Sequence, residues 1–177
     1  MSHALTLIGM MGAGKTTVAG VLAFRRGWRA VDLDDVIVER AGQPISAIFA
    51  EQGEAGFRAL EREALVETLR SDQPIVLAAG GGTPAQPGLM QAIVEAGPTF
   101  WLRCSPQLLA RRAMAQGLAS RPLLANCVDE AAVASVLAEL HDRRAVFYGQ
   151  AHAVVDIRDG DSPEDIADRI EALEATL

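Results

Sequence analysis

The sequence predicts an α/β fold: a five-stranded parallel sheet with helices packed on both faces. Three observations lead there. Five short strand-like runs, at residues 4–8, 29–33, 74–79, 99–102 and 153–157, alternate with stretches of helical periodicity. Pro74-Ile75-Val76-Leu77-Ala78-Ala79 is apolar throughout, as suits a strand buried on both faces rather than one facing water. No repeat, linker or low-complexity tract divides the 177 residues, a length suited to one domain with a sizeable core. Strands that alternate with helices pair in parallel, since a crossover is needed to return the chain to the starting edge.

The elements follow in order. Ala4-Leu5-Thr6-Leu7-Ile8 is the first strand, and residues 15–26 form the helix after it. Arg29-Ala30-Val31-Asp32-Leu33 is the second strand. Residues 54–70 form a helix, with Phe57, Leu60, Ala64 and Leu65 at helical spacing. Residues 74–79 form the third strand, stopped by Gly80-Gly81-Gly82. Thr99-Phe100-Trp101-Leu102 is the fourth. Ser105-Pro106 then supplies an N-cap with proline in the first helical position, for a helix running to about residue 116. Residues 129–148 form another helix with Asp129 as its cap. Ala153-Val154-Val155-Asp156-Ile157 is the fifth strand, and Ser162-Pro163 opens the final helix.

Between the first strand and its helix lies Gly9-Met10-Met11-Gly12-Ala13-Gly14-Lys15-Thr16, which fits the phosphate-cradling pattern G-x-x-x-x-G-K-[ST]. Its glycines let backbone N–H groups approach an anion, and the helix N-terminus adds partial positive charge. Lys15 can reach the outer phosphates, and the Thr16 hydroxyl can sit on Mg²⁺. Ligands of such sheets bind beyond the carboxyl ends of the strands. That rule places the loop, Asp32 and Asp34, and the three glycines at one crevice.

Asp32 and Asp34 face the same side if the chain is extended there. They can support Mg²⁺ through water, and one can accept a proton; they can equally be acids decorating a helix N-terminus. Arg58 and Glu61, three apart, share a helix face, either as a clamp for a carboxylate or as a solvated surface pair. Three consecutive glycines suggest close backbone approach to a ligand more than a simple turn. Residues 117–124, with Gly117 and Arg121-Pro122, read either as a mobile lid carrying one cation or as an ordinary connection. Arg143 and Arg144 end a long helix, where cations suit the dipole.

The net charge of −7 argues against a nucleic-acid surface, and no apolar run approaches membrane-span length. The N-terminus lacks a basic region and runs straight into the phosphate loop, so no signal peptide is expected. Cys104 and Cys127 have no metal or redox spacing and suit a reducing cytosol. His3, His141 and His152 are scattered.

Taken together these stretches resemble the shikimate kinase family. The resemblance spans nearly the whole chain. It rests on the loop at 9–16, Asp-x-Asp at 32–34, Gly-Phe-Arg-x-x-Glu at 56–61, the glycines at 80–82, Arg-Pro-Leu-Leu at 121–124 and Arg-x-x-x-Tyr at 144–148. Val146 departs from it, standing where the family usually has proline. The resemblance implies a P-loop, nucleoside-monophosphate-kinase-like sheet of order 2-3-1-4-5. It implies one kinase domain over 1–177, with a substrate-binding segment at about 32–62 and a lid at about 116–126. The implied reaction moves the γ-phosphate of ATP to the 3-hydroxyl of shikimate, with Mg²⁺, in aromatic amino-acid biosynthesis. The implied protein is a cytoplasmic monomer with no nucleic-acid or membrane partner. By matching position, Gly12, Ala13, Gly14, Lys15, Thr16 and Thr17 hold ATP. Thr16 ligates Mg²⁺ and Asp32 supports it through water. Asp34 binds the acceptor hydroxyls and is the candidate base. Arg58, Gly81 and Arg144 hold the acceptor, and Arg121 closes over the nucleotide. Two other readings compete: a kinase of another small acceptor, such as gluconate or a nucleoside monophosphate, and a nucleotide-binding switch with no acceptor.

Overall fold

The computed structural model describes residues 4–118 and 122–177. Strands β1 (Ala4–Ile8), β2 (Arg29–Asp32), β3 (Ile75–Ala78), β4 (Thr99–Cys104) and β5 (Ala153–Ile157) form one sheet. Its order is β2-β3-β1-β4-β5, as the resemblance implies. All four pairings are parallel, with Leu5 opposite Val76 and Leu7 opposite Phe100 at the centre. Every residue of β1 and β3 is buried, so helices and loops cover both faces there. The edges differ. On β5, Val155 and Ile157 are buried while Val154 and Asp156 face out, the alternation of a strand covered on one side.

Helix α1 (Lys15–Arg26) follows β1, and α2 (Leu33–Ala41) follows β2. Next come α3 (Ile45–Leu69), α4 (Leu89–Ala96), α5 (Pro106–Gln116), α6 (Glu130–Tyr148) and α7 (Pro163–Glu174). The read caps are present. Ser105 accepts from the Leu108 N–H and Asp129 from that of Ala132. Ser162 and Asp165 cap reciprocally.

Three boundaries differ from the sequence reading. Strand β2 stops at Asp32, and Leu33 already belongs to α2. Helix α3 begins at Ile45 and is broken at Gly53, whose φ of 68° and ψ of −172° lie outside the helical region. A side-chain-bearing residue avoids that conformation, so the glycine makes the break. Helix α4 lies where the reading places no element. Its buried Leu89, Met90 and Ile93 do have helical spacing, but the segment is only 8 residues long.

Candidate active site

The phosphate loop is the direct link from β1 to α1. Gly14 caps α1 in a left-handed conformation (φ 96°), and neither a side-chain cap nor a first-turn acid occupies that end. The first N–H groups of the helix are therefore left for an anion. Lys15, the single lysine of the chain, arches over the loop. Its Nζ donates to the carbonyls of Gly9 and Met10, both at 3.0 Å. Arg112, on α5, donates to the Gly12 carbonyl at 3.2 Å. The sequence reading passed over this cation, because nothing in its local pattern separates it from its neighbour Arg111.

Asp32 has two tasks at once. One carboxylate oxygen caps α2 by accepting from the Asp34 N–H at 2.9 Å, and the other accepts from the Thr16 hydroxyl. The helix N-terminus reading therefore holds for Asp32, which also meets the loop threonine. The alternation argument for Asp34 does not. Asp34 sits in the first turn of α2, and helix entry rather than strand pleat brings it beside Asp32. The Asp34 carboxyl opens into the crevice, yet the walls around it strip away much of its water. That desolvation, helped by the charges of Asp32 and Glu61, pushes its pKa up to about 6 from an ordinary 3.8; Lys15 acts against the rise.

A second wall of the crevice is built on a buried carboxylate. Glu61 is 1% exposed and accepts from Arg58 at 2.5 Å, Thr83 at 2.5 Å and Gln86 at 2.6 Å. The Arg58–Glu61 pair is thus no solvated surface pair but part of a network that fixes the guanidinium. Glu54 adds a longer contact to Arg58 at 3.4 Å. Thr83 and Gln86, just beyond the glycines, gave no sequence signal, because their partner lies 22 and 25 residues earlier.

Arg144 projects from α6 into the same space and is 8% exposed. Among the described residues no carboxylate pairs with it. Its Nη1 lies 3.8 Å from the Met10 sulfur, and its positive charge acts on the Tyr148 phenol. Tyr148 in turn donates to the Gly81 carbonyl at 2.5 Å, and burial pushes its own pKa up to about 12. The helix-dipole reading of Arg144 accounts for none of this.

The three glycines have a steric reason. A Cβ on Gly80 would lie 2.7 Å from Glu61 Oε1, and one on Gly81 3.2 Å from Arg144 Nη1. A Cβ on Gly82 would lie 2.7 Å from both terminal nitrogens of Arg58. The glycines leave room for three charged side chains that line the cavity.

Gly12, Lys15, Thr16, Asp32, Asp34, Arg58, Gly81 and Arg144 all line one cavity of about 380 Å³. Phe49 and Phe57, with ring centroids 4.7 Å apart, supply an apolar wall. Leu123, within the read lid, lines the same cavity. Ala13, Gly14 and Thr17 belong to the loop and first turn behind it. Arg121 lies outside the described residues.

This fold and crevice define a P-loop kinase: a phosphate-loop motif and a cavity lined by Lys15, Arg58 and Arg144 share the carboxyl end of one parallel sheet. The chain belongs to the shikimate kinase family, whose sequence model matches residues 11–174. A shikimate kinase of Nostoc punctiforme is 37% identical over 166 residues, covering 94% of this chain and 87% of the relative. The crystal structure of shikimate kinase from Bacteroides thetaiotaomicron superposes with a TM-score of 0.86 at 31% identity, covering 98% of this chain and 97% of the other. Shikimate kinase from Acinetobacter baumannii, in complex with shikimate, gives a TM-score of 0.83 at 30% identity over 96% and 89% of the two chains.

Proposed function

We propose that this protein transfers the γ-phosphate of ATP to the 3-hydroxyl of shikimate, giving shikimate 3-phosphate and ADP in aromatic amino-acid biosynthesis. Family membership supports the reaction class. The observation that carries the acceptor is Arg144: a buried guanidinium with no carboxylate partner among the described residues, on the wall that also holds Arg58. A buried cation left unpaired is costly unless a ligand supplies the anion. The shikimate carboxylate does so, gripped by Arg144 and Arg58, with the Gly81 backbone beside it.

In the nucleotide complex the backbone from Gly12 to Gly14, with Thr16 and Thr17, cradles the phosphates. Lys15 exchanges its two carbonyl partners for phosphate oxygens. The oxygen donors of Thr16 and Asp32 fit Mg²⁺, a hard cation content with one or two carboxylates plus phosphate and water. Mg²⁺ there would neutralise charge on the β- and γ-phosphates. Asp34 faces the acceptor hydroxyl. With a pKa of about 6 it is mostly ionised at neutral pH, yet basic enough to take the hydroxyl proton as the phosphoryl group arrives. Arg121, on a lid at about 116–126, closes over the transferring group. Arg112 flanks the loop on the nucleotide side. Transfer of this kind needs positioning and charge neutralisation rather than covalent participation.

The chain acts as one kinase domain and a cytoplasmic monomer, with the acceptor held by the segment at about 32–62. No described helix is long and apolar enough to cross a membrane. ADP release, coupled to a dehydrogenase and measured with ATP, Mg²⁺ and either shikimate, gluconate or a nucleoside monophosphate, tests the reading. ADP formation that depends on shikimate is expected. Turnover indifferent to shikimate, or faster with another acceptor, overturns it.

A further inference from the structure

Arg144, with no carboxylate partner among the described residues, meets a residue of the phosphate loop. Met10 is 2% exposed. Its carbonyl accepts from Lys15 at 3.0 Å and from the Ala13 N–H at 3.2 Å. Its sulfur lies 3.8 Å from Arg144 Nη1 and 3.6 Å from the Tyr148 hydroxyl. One residue thus faces the nucleotide side with its backbone and the acceptor side with its side chain.

The choice of sulfur has a physical reason. A guanidinium carries five N–H donors and loses stability when they are buried without acceptors. Arg58 meets this need with the carboxylates of Glu61 and Glu54. The same solution at Arg144 would neutralise the charge meant for the acceptor. A hydrocarbon would leave the donors unmet and the side chain free to turn. A thioether lies between: polarisable, a weak acceptor, uncharged.

We infer that Met10 is a positioning residue of the acceptor site, its sulfur aiming the Arg144 guanidinium while leaving that charge for the substrate carboxylate. The inference rests on the shikimate reading above. It also ties the aim of Arg144 to the shape of the phosphate loop, since a shift of the Met10 backbone moves both its sulfur and the carbonyl that holds Lys15.

Three variants test it, with kcat, both KM values and melting temperature measured for each. Met10→Leu keeps the apolar bulk and removes the acceptor. Met10→Gln offers an uncharged acceptor at similar reach, and Met10→Glu a carboxylate. The leucine variant is expected to raise KM for shikimate roughly three- to tenfold, the worth of one modest hydrogen bond. Its KM for ATP stays within about twofold, a margin well under the worth of such a bond. Glutamine restores the shikimate KM, and glutamate raises it well beyond leucine. A leucine variant with wild-type KM for shikimate overturns the inference. So does an equal rise for leucine and glutamine, which would mark a packing role. If the leucine variant does not fold, equal shikimate KM values for glutamine and glutamate overturn it instead. Wild-type turnover that ignores shikimate removes the functional reading and this inference with it. Shikimate-dependent turnover that all three substitutions leave untouched removes this inference alone.

Discussion

Replacing Arg144 by methionine should harm binding and help folding. The guanidinium is 8% exposed and has only a phenol and a thioether as described partners, so its charge is poorly compensated before substrate arrives. A buried ion in a folded protein costs several kcal/mol, and this one regains part of that through the open cavity. Arg144→Met keeps much of the aliphatic stem and deletes the charge. The substrate-free variant is therefore expected to be more stable by about 1–2 kcal/mol. For a chain of this length that is a rise in melting temperature of roughly 2–8 °C. Binding moves the other way. Two charge-assisted hydrogen bonds to a carboxylate, at about 1.5–3 kcal/mol each, are lost. Shikimate affinity should fall by a hundredfold or more, taking about 1.4 kcal/mol per factor of ten. The assay is thermal melting of both proteins with and without shikimate. At a concentration of 100 times its Kd, shikimate adds about 2.7 kcal/mol to the wild type and little to the variant. A variant that melts below the wild type and still gains the full shift from shikimate would refute the idea that Arg144 is an unpaired anchor for the substrate.

Further predictions follow from the same geometry. Because the Asp34 carboxyl is held at about 6, kcat should rise with pH through about 6 and level off above it, and Asp34→Asn should lose both the turnover and that limb. The sign for stability is opposite. The folded state keeps the Asp34 proton where the unfolded chain has released it, so this group's contribution, full below 3.8, is lost as pH climbs through about 6. Asp34→Asn should therefore flatten a fall in stability across that window, and an unchanged stability profile would contradict the shift. Gly82→Ala places a methyl 2.7 Å from both terminal nitrogens of Arg58, which Glu61 holds at 2.5 Å. KM for shikimate should rise at least tenfold with the chain still folded, the loss of about one charged contact; an unaltered KM would show that Arg58 is free to move aside. Lys15 is the chain's single lysine, so an amine-directed acylating reagent should inactivate the enzyme in step with modification of that residue by peptide mass. ATP should slow the labelling, and indifference to ATP would remove Lys15 from the nucleotide site.

Neighbours along the chain are enough to specify the strands and the phosphate loop. Continuous apolar runs locate strands buried on both faces, and the Gly9–Thr16 loop depends on neighbours in the chain, so its spacing alone reveals it. Capping is local too, which is why Ser105, Asp129 and Ser162 were legible. Asp32 and Asp34 were found for a partly mistaken reason, because a helix entry and an extended strand both bring such a pair to one end.

What the charges do depends on the finished fold. Spacing pairs Arg58 with Glu61, but nothing in the sequence shows that Glu61 is buried or that Arg144 lies buried with no carboxylate among the described residues. Nor does it connect Glu61 to Thr83 and Gln86, or Arg112 to Gly12, 100 residues before it. The triple glycine is visible as a motif, but its purpose depends on side chains arriving from α3 and α6. Local backbone preference is written in neighbouring residues, whereas the burial and pairing of a charge depend on whatever the finished fold brings within a few ångströms of it.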